Sequence, residues 1–280
     1  MPTYDLHQHH WPPVLVRALE ARHDRPRLRG TTLQLPSGDF EIDLRTHELD
    51  ERLAALDRDE VDVAVISCPP TLELRNDLAE SYHEGMLELV AESCGRLRAL
   101  ACGVARDGFV GACVSALDLN DVGALAPLAS ELQRRGELLF VHPGPALTPP
   151  GAPEWWPAVV GYTAQMQAAY AAWLAHGAGE WPQLPVVFAI LAGGAPVQLE
   201  RLASRGIDTR AVLYENVYLE TASYGERALD LAMATYGVRQ LVYGSDWPVI
   251  DPQATLRSVR SFGQAVVDAV CRDNPTRLLA

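Results

Sequence analysis

The sequence predicts an α/β fold, a single (β/α)8 TIM barrel over residues 1–280 with a small β-hairpin insertion near residues 28–44. Three observations carry that reading. Apolar runs rich in β-branched and aromatic residues recur about eight times, and amphipathic stretches of helical period separate most of them. Such near-continuous apolar strands imply a parallel sheet with helices on its outer face. The 280 residues are close to the roughly 250 of one barrel, and eight such units favour closure over an open sheet.

Strands are expected over residues 3–9, 61–67, 97–105, 109–115, 138–142, 185–191, 216–221 and 240–245. Helices are expected over 46–57, 77–94, 121–135, 196–205, 225–236 and 255–270. Side chains alternate along a strand, so His7 and His9 share a face of the first one, with Asp5 a step behind. Residues 28–44 break the strand–helix rhythm and read as a hairpin, 31–35 and 40–44, turned by Pro36-Ser37-Gly38. This insertion could serve as a lid. Residues 143–157 are rich in proline and glycine and carry Trp155 and Trp156, so the loop is expected to wall the functional face. Asn274-Pro275 reads as an N-cap and first-turn proline opening a C-terminal helix through Leu279.

Composition removes several classes of function. The net charge of −13 argues against nucleic acid and anionic membranes as partners, since both select clustered positive charge. No run approaches the roughly 20 apolar residues of a membrane span. Asp5 and His7 fall where the apolar block of a signal peptide would lie, and five widely spaced cysteines fit reduced thiols, so a cytoplasmic location is expected. All 23 basic residues are arginine. Without lysine there is no Schiff-base chemistry, no phosphate-loop lysine and no carboxylated lysine bridging two metals.

Three segments end strands in good ligands. The first carries His7-Gln8-His9, the fifth runs Leu138-Leu139-Phe140-Val141-His142-Pro143-Gly144, and the last runs Leu241-Val242-Tyr243-Gly244-Ser245-Asp246-Trp247-Pro248. A barrel gathers all strand C-termini at one face, so His7, His9, His142 and Asp246 should converge. Three imidazoles and a carboxylate suit one divalent ion, Zn²⁺ by preference with Mn²⁺ also acceptable, and leave a position open. Each residue has a plainer use: a surface histidine pair, a core histidine, a capping aspartate. Their independent agreement on one face outweighs those readings.

These motifs together resemble the amidohydrolase superfamily, in the branch that includes aminocarboxymuconate semialdehyde decarboxylase-like enzymes and sugar lactonases. The likeness covers nearly the whole chain, down to Asn274-Pro275-Thr276-Arg277-Leu278. It implies that His7, His9 and His142 bind metal, that Asp246 contacts the metal or its water and moves protons, and that the protein is a homodimer. One position departs. Relatives carry a histidine two residues before a Gly-Gly after strand six, and here Leu191 precedes Ala192-Gly193-Gly194. Leucine neither ligates nor transfers protons, and loss of a placed acid/base removes about 10²–10⁴ in rate.

For substrate contacts the candidates are His10, Trp155, Trp156 and Trp247, together with Arg106 and Arg227 after strands three and seven as carboxylate binders; the plainer alternatives are rim packing and surface ion pairs. His23, His47, His83 and His176 are expected to be ordinary surface or packing residues. The first functional reading is a metal-dependent hydrolase of a small lactone, amide or ester, using a metal-activated water with Asp246 as the proton-transferring group. The alternative is a metal-dependent nonoxidative decarboxylase of a small aromatic or unsaturated acid, against which Leu191 counts. A ligand-binding barrel of low turnover is the third.

Overall fold

A computed structural model describes residues 1–280. Strand β1 (Tyr4–His9) leads through helix α1 (Pro13–Ala21) into an antiparallel meander of β2 (Arg27–Arg29), β3 (Thr32–Leu35) and β4 (Gly38–Glu41). After α2 (Leu49–Asp59) come β5 (Val63–Ser67), α3 (Asp77–Glu92) and a strand interrupted at Leu100 into β6 (Leu97–Ala99) and β7 (Ala101–Cys102). Then follow β8 (Gly111–Ser115), α4 (Ala126–Arg135), β9 (Leu138–His142), α5 (Tyr162–Ala172), β10 (Val186–Phe188) and α6 (Ile190–Ala203). The chain ends with β11 (Val217–Glu220), α7 (Glu226–Tyr236), β12 (Leu241–Val242), α8 (Pro252–Ser261), α9 (Gln264–Asp268) and α10 (Asn274–Leu278).

Two parallel arcs make up the barrel wall, β1-β5-β6 and β7-β8-β9-β10-β11-β12. At one seam β6 and β7 are a single strand broken at one residue, and Val110 donates to the Ala99 carbonyl across the gap at 3.0 Å. At the other, Leu6 donates to Tyr243 (2.9 Å), Asp246 to His7 (2.7 Å) and His9 to Trp247 (2.8 Å), all backbone to backbone. These bonds join the arcs into an eight-position ring. Strands β9 and β10 are buried at every residue, which is why they read as unbroken apolar runs. No helix is long and apolar enough to cross a membrane.

Several expectations need correction. The insertion has three strands, because Gly30, at φ +61°, turns β2 into β3, and its last strand starts at Gly38. Helices α1 and α5 were not anticipated. The stretch expected as one helix over 121–135 begins with a 3-10 segment and becomes α-helical at Ala126, and the one over 255–270 breaks at Gly263, at φ +89°. Strand six ends at Phe188, so Leu191 lies beyond it. A register shift between Asp5 and Gln8 removes Asp5 from the face of His7 and His9. The Asp5 carboxylate instead accepts from the backbone N–H groups of His7 and Ser245 and from the Gln8 amide.

Asn274 is not a free N-cap. The chain enters α10 from a preceding π turn, and the buried Asn274 amide donates to the carbonyls of Val238 (2.8 Å) and Leu241 (2.7 Å), tying α10 to the last strand. Removing a side chain that satisfies buried carbonyls costs about 1–3 kcal/mol. Asn274→Ala should therefore lower the urea midpoint by that equivalent with an unchanged m-value. No shift in the midpoint would show that the tether carries no stability.

Candidate metal centre

Strand ends β1 and β9 and the segment after β12 bring His7, His9, His142 and Asp246 together, with one ligand atom from each lying within 4.8 Å of the others. His9 Nε2 is 3.0 Å from Asp246 Oδ1, and His7 Nε2 is 3.5 Å from the same oxygen. The two Nε2 atoms of His7 and His9 are 3.3 Å apart. Two nitrogens each about 2.0–2.1 Å from a shared tetrahedral ion would be separated by about 3.3–3.4 Å. The spacing is that of two ligands of one metal.

The far side of each ring settles which nitrogen faces the centre. Nδ1 of His7 meets Glu220 Oε2 at 3.0 Å, Nδ1 of His9 meets the Ser67 carbonyl at 3.0 Å, and Nδ1 of His142 meets the Pro143 carbonyl at 2.8 Å. All three partners are acceptors, so each Nδ1 carries a proton and each ring turns its Nε2 inward, with a bare lone pair whenever the ring is neutral. Three lone pairs and a carboxylate converge with no donor among them. That donor set fits a divalent metal ion.

The electrostatics agree. Burial disfavours charge on His7, but Glu220 and Asp246 outweigh it and lift its pKa to about 9. Burial, then repulsion from His7 and His9, holds His142 well below its ordinary value. Burial alone would raise Asp246, yet the three histidines hold it below the usual carboxylate range, and it stays ionised. In the ion-free protein a proton on His7 takes up part of the positive charge that a metal would supply.

Glu220 escaped the sequence reading. It ends β11, is fully buried, and also accepts from the backbone N–H groups of Ile190 (3.1 Å) and Ala222. Gly244 leaves it room, since a Cβ there would lie 2.1 Å from Glu220 Oε1 and 2.6 Å from the His7 Cβ. Tyr162 was also missed. It opens α5, whose Gln165 accepts from the Gly144 N–H at 2.8 Å and donates to the Pro145 carbonyl at 2.9 Å, holding the helix against the loop after His142. Burial, then the Asp246 charge, raises the Tyr162 phenol, so it keeps its proton.

The remaining candidates have the following surroundings. Arg106 donates to Glu80 of α3 at 2.6 and 2.8 Å, in place of an open carboxylate-binding role. Arg227 lies exposed in the first turn of α7 with no ion-pair partner. His10 is fully buried, 5.7 Å from the His47 ring, with neither nitrogen bonded. Trp155 is exposed and stacks on Trp156, while Trp247 lies under the Arg52 guanidinium. His23 and His176 are surface residues, and His47 and His83 are buried packing residues that accept from the backbone N–H groups of Trp11 and Cys102.

Leu191 sits in a left-handed run in which Ile190, Leu191, Ala192, Gly193 and Gly194 all have φ between +47° and +88°. Such residues other than glycine cost about 1–2 kcal/mol each. The run is held by the Ile190–Glu220 bond and by Gln167, which donates to the Gly193 carbonyl at 2.6 Å. Leu191 is packed in the core.

A model of the amidohydrolase family matches residues 4–280. A 2-amino-3-carboxymuconate-6-semialdehyde decarboxylase of Dictyostelium discoideum is 23% identical over 283 residues, covering 85% of this chain and 78% of that protein. Among solved structures, an IDCase of Metarhizium anisopliae in apo form superposes with a TM-score of 0.83 at 22% identity, covering 99% of this chain and 97% of that one. A dihydroxybenzoic acid decarboxylase of Polaromonas sp., with bound manganese and the inhibitor 2-nitroresorcinol, gives 0.70 at 16% identity, covering 99% and 96%. These structural likenesses establish the shared fold.

The His7–Glu220 pair has a pH signature. The folded pKa of His7, about 9, exceeds its ordinary 6.5, so its contribution is complete below pH 6.5 and is lost as pH rises through about 9. In metal-free protein, the stability advantage of wild type over Glu220→Gln should be largest near pH 6 and close by pH 9 to 10. A pH-independent gap in denaturation midpoints would show that Glu220 does not hold the His7 proton.

Proposed function

The chain belongs to the amidohydrolase family, and from that premise we propose that it is a metal-dependent nonoxidative decarboxylase of a small aromatic or unsaturated acid. The observation that carries the proposal is the convergence of three Nε2 lone pairs and one ionised carboxylate on a single point. His7, His9, His142 and Asp246 would hold the ion, Zn²⁺ by donor type, with Mn²⁺, bound in the Polaromonas decarboxylase, as the alternative. When bound, the ion supplies Lewis acidity that draws in an acidic substrate and stabilises the charge left as the carboxylate departs.

The chain's own residues manage protons. In decarboxylation the bond from carbon to the carboxylate breaks, its electron pair stays on carbon, carbon dioxide leaves, and that carbon takes a proton. Asp246 is ionised, so it delivers a proton only after accepting one, for example from a substrate hydroxyl. Tyr162 retains its proton within electrostatic reach of Asp246 and is a second candidate donor. Either could take the role left open where Leu191 replaces histidine.

Leu191 had favoured hydrolysis. That argument holds only if the proton must come from a histidine in that place, and Asp246 and Tyr162 offer other groups to carry it. The relatives' names support decarboxylation as well: both the Dictyostelium and the Polaromonas proteins are called decarboxylases.

The test is to supply purified protein, loaded with Zn²⁺ or Mn²⁺, with hydroxylated benzoic acids, unsaturated carboxylic acids and simple lactones. Carbon dioxide release from an acid, abolished by chelation and reduced about 10²–10⁴-fold by Asp246→Asn, is the expected result. Lactone hydrolysis with no carbon dioxide release from any acid would return the assignment to a hydrolase. Tight binding of an acid without turnover would make the protein a ligand-binding barrel. If Tyr162 is the donor, Tyr162→Phe should lower kcat with little change in KM.

A further inference from the structure

Arg52 of α2 is completely buried and forms no ion pair with any carboxylate. An unpaired guanidinium inside a protein is costly, so something must hold it there. Its bonds all lead toward the candidate metal centre or the segment beside it. Nη2 donates to the His9 carbonyl at 2.5 Å and the Thr46 carbonyl at 3.2 Å, and Nη1 donates to Gln8 Oε1 at 2.5 Å. The guanidinium carbon lies 3.9 Å from the centre of the Trp247 ring. Gln8 passes the link on, donating to Asp5 at 2.7 Å, and Asp5 accepts from the backbone N–H groups of Ser245 and His7.

Arg52 thus touches both sides of the seam between β1 and the segment after β12. On one side it fixes the carbonyl of His9, and on the other it packs against the residue that follows Asp246. We propose that Arg52 is a positioning residue for the metal centre, holding His9 and Asp246 at the separation that a shared ion requires. A cation beside a cation site weakens binding by charge alone, so geometry is the benefit that can explain it. Planarity matters here. Arg52 reaches three acceptors while its guanidinium lies over an indole, a combination that a lysine ammonium does not match.

This inference rests on the metal reading of the preceding subsection, and the experiment separates the two. Full-length wild type, Arg52→Lys, Arg52→Met and Gln8→Met are stripped of metal. Each is titrated with Zn²⁺ against a chromogenic chelator, then loaded with Co²⁺ for its visible spectrum. Loss of an outer partner of a metal ligand commonly costs about 10–100-fold in affinity. Arg52→Met and Arg52→Lys should fall in that range with an altered Co²⁺ spectrum, and Gln8→Met should shift the spectrum in the same direction. A purely structural role would lower the metal-free thermal midpoint and leave both the Zn²⁺ affinity and the Co²⁺ bands of the folded variants unchanged, overturning the proposal. Should the Arg52 variants fail to fold, Gln8→Met decides: unchanged affinity and bands refute the clamp. Wild type that binds no divalent ion removes the metal reading and this proposal together, whereas wild-type binding with unaltered variants removes this one alone.

Discussion

Three buried imidazoles turning bare lone pairs toward one another and toward a carboxylate make an arrangement that neutral hydrogen bonding cannot satisfy. Much of the surrounding structure holds it in place. Each ring is fixed by an acceptor behind Nδ1: the Glu220 carboxylate, the Ser67 carbonyl and the Pro143 carbonyl. These acceptors come from three different barrel positions, so the orientation of each ligand depends on the ring of strands being in register. Without metal the cluster responds by binding a proton at His7, where two carboxylates outweigh burial.

The seam between β1 and the segment after β12 matters because two ligands come from one side of it and one from the other. Three backbone hydrogen bonds cross it, among them Asp246 to His7 and His9 to Trp247, so ligand-bearing residues themselves close the wall. Asp246 has φ +60°, a conformation that aspartate tolerates better than most residues. Gly244 clears space for Glu220 and the His7 Cβ, where any side chain would collide with both. Closing the barrel and assembling the site are therefore coupled in the same few residues.

The region after strand six departs from the regular strand-to-helix turn. Read along the chain, Leu191 takes the place of an acid/base histidine. In three dimensions the backbone leaves the strand at Phe188 and winds through five left-handed residues, and Glu220 from the next strand holds the first of them. Tyr162, at the start of α5, keeps its proton because burial and then the Asp246 charge raise its phenol.

Sequence pattern alone was enough to place the barrel and to bring His7, His9, His142 and Asp246 to one face of it. Strand periodicity is local, and the strand ends of a barrel must share one face, so His7, His9, His142 and Asp246 could be placed together from their positions alone. That pattern does not reveal α5, whose alanine-rich Tyr162–Ala172 segment has no clear apolar stripe, nor α1, which is short and begins at the second of two prolines. Glu220 reads as one more carboxylate after an apolar run, and Arg52 as a charge on an amphipathic helix, where the ordinary expectation is solvent. Packing between distant parts of the chain buries both and bonds Glu220 to the His7 ring and Arg52 to the His9 carbonyl. Their roles arise from contacts 213 residues apart for His7–Glu220 and 43 apart for His9–Arg52, and no local pattern encodes a partner at that distance.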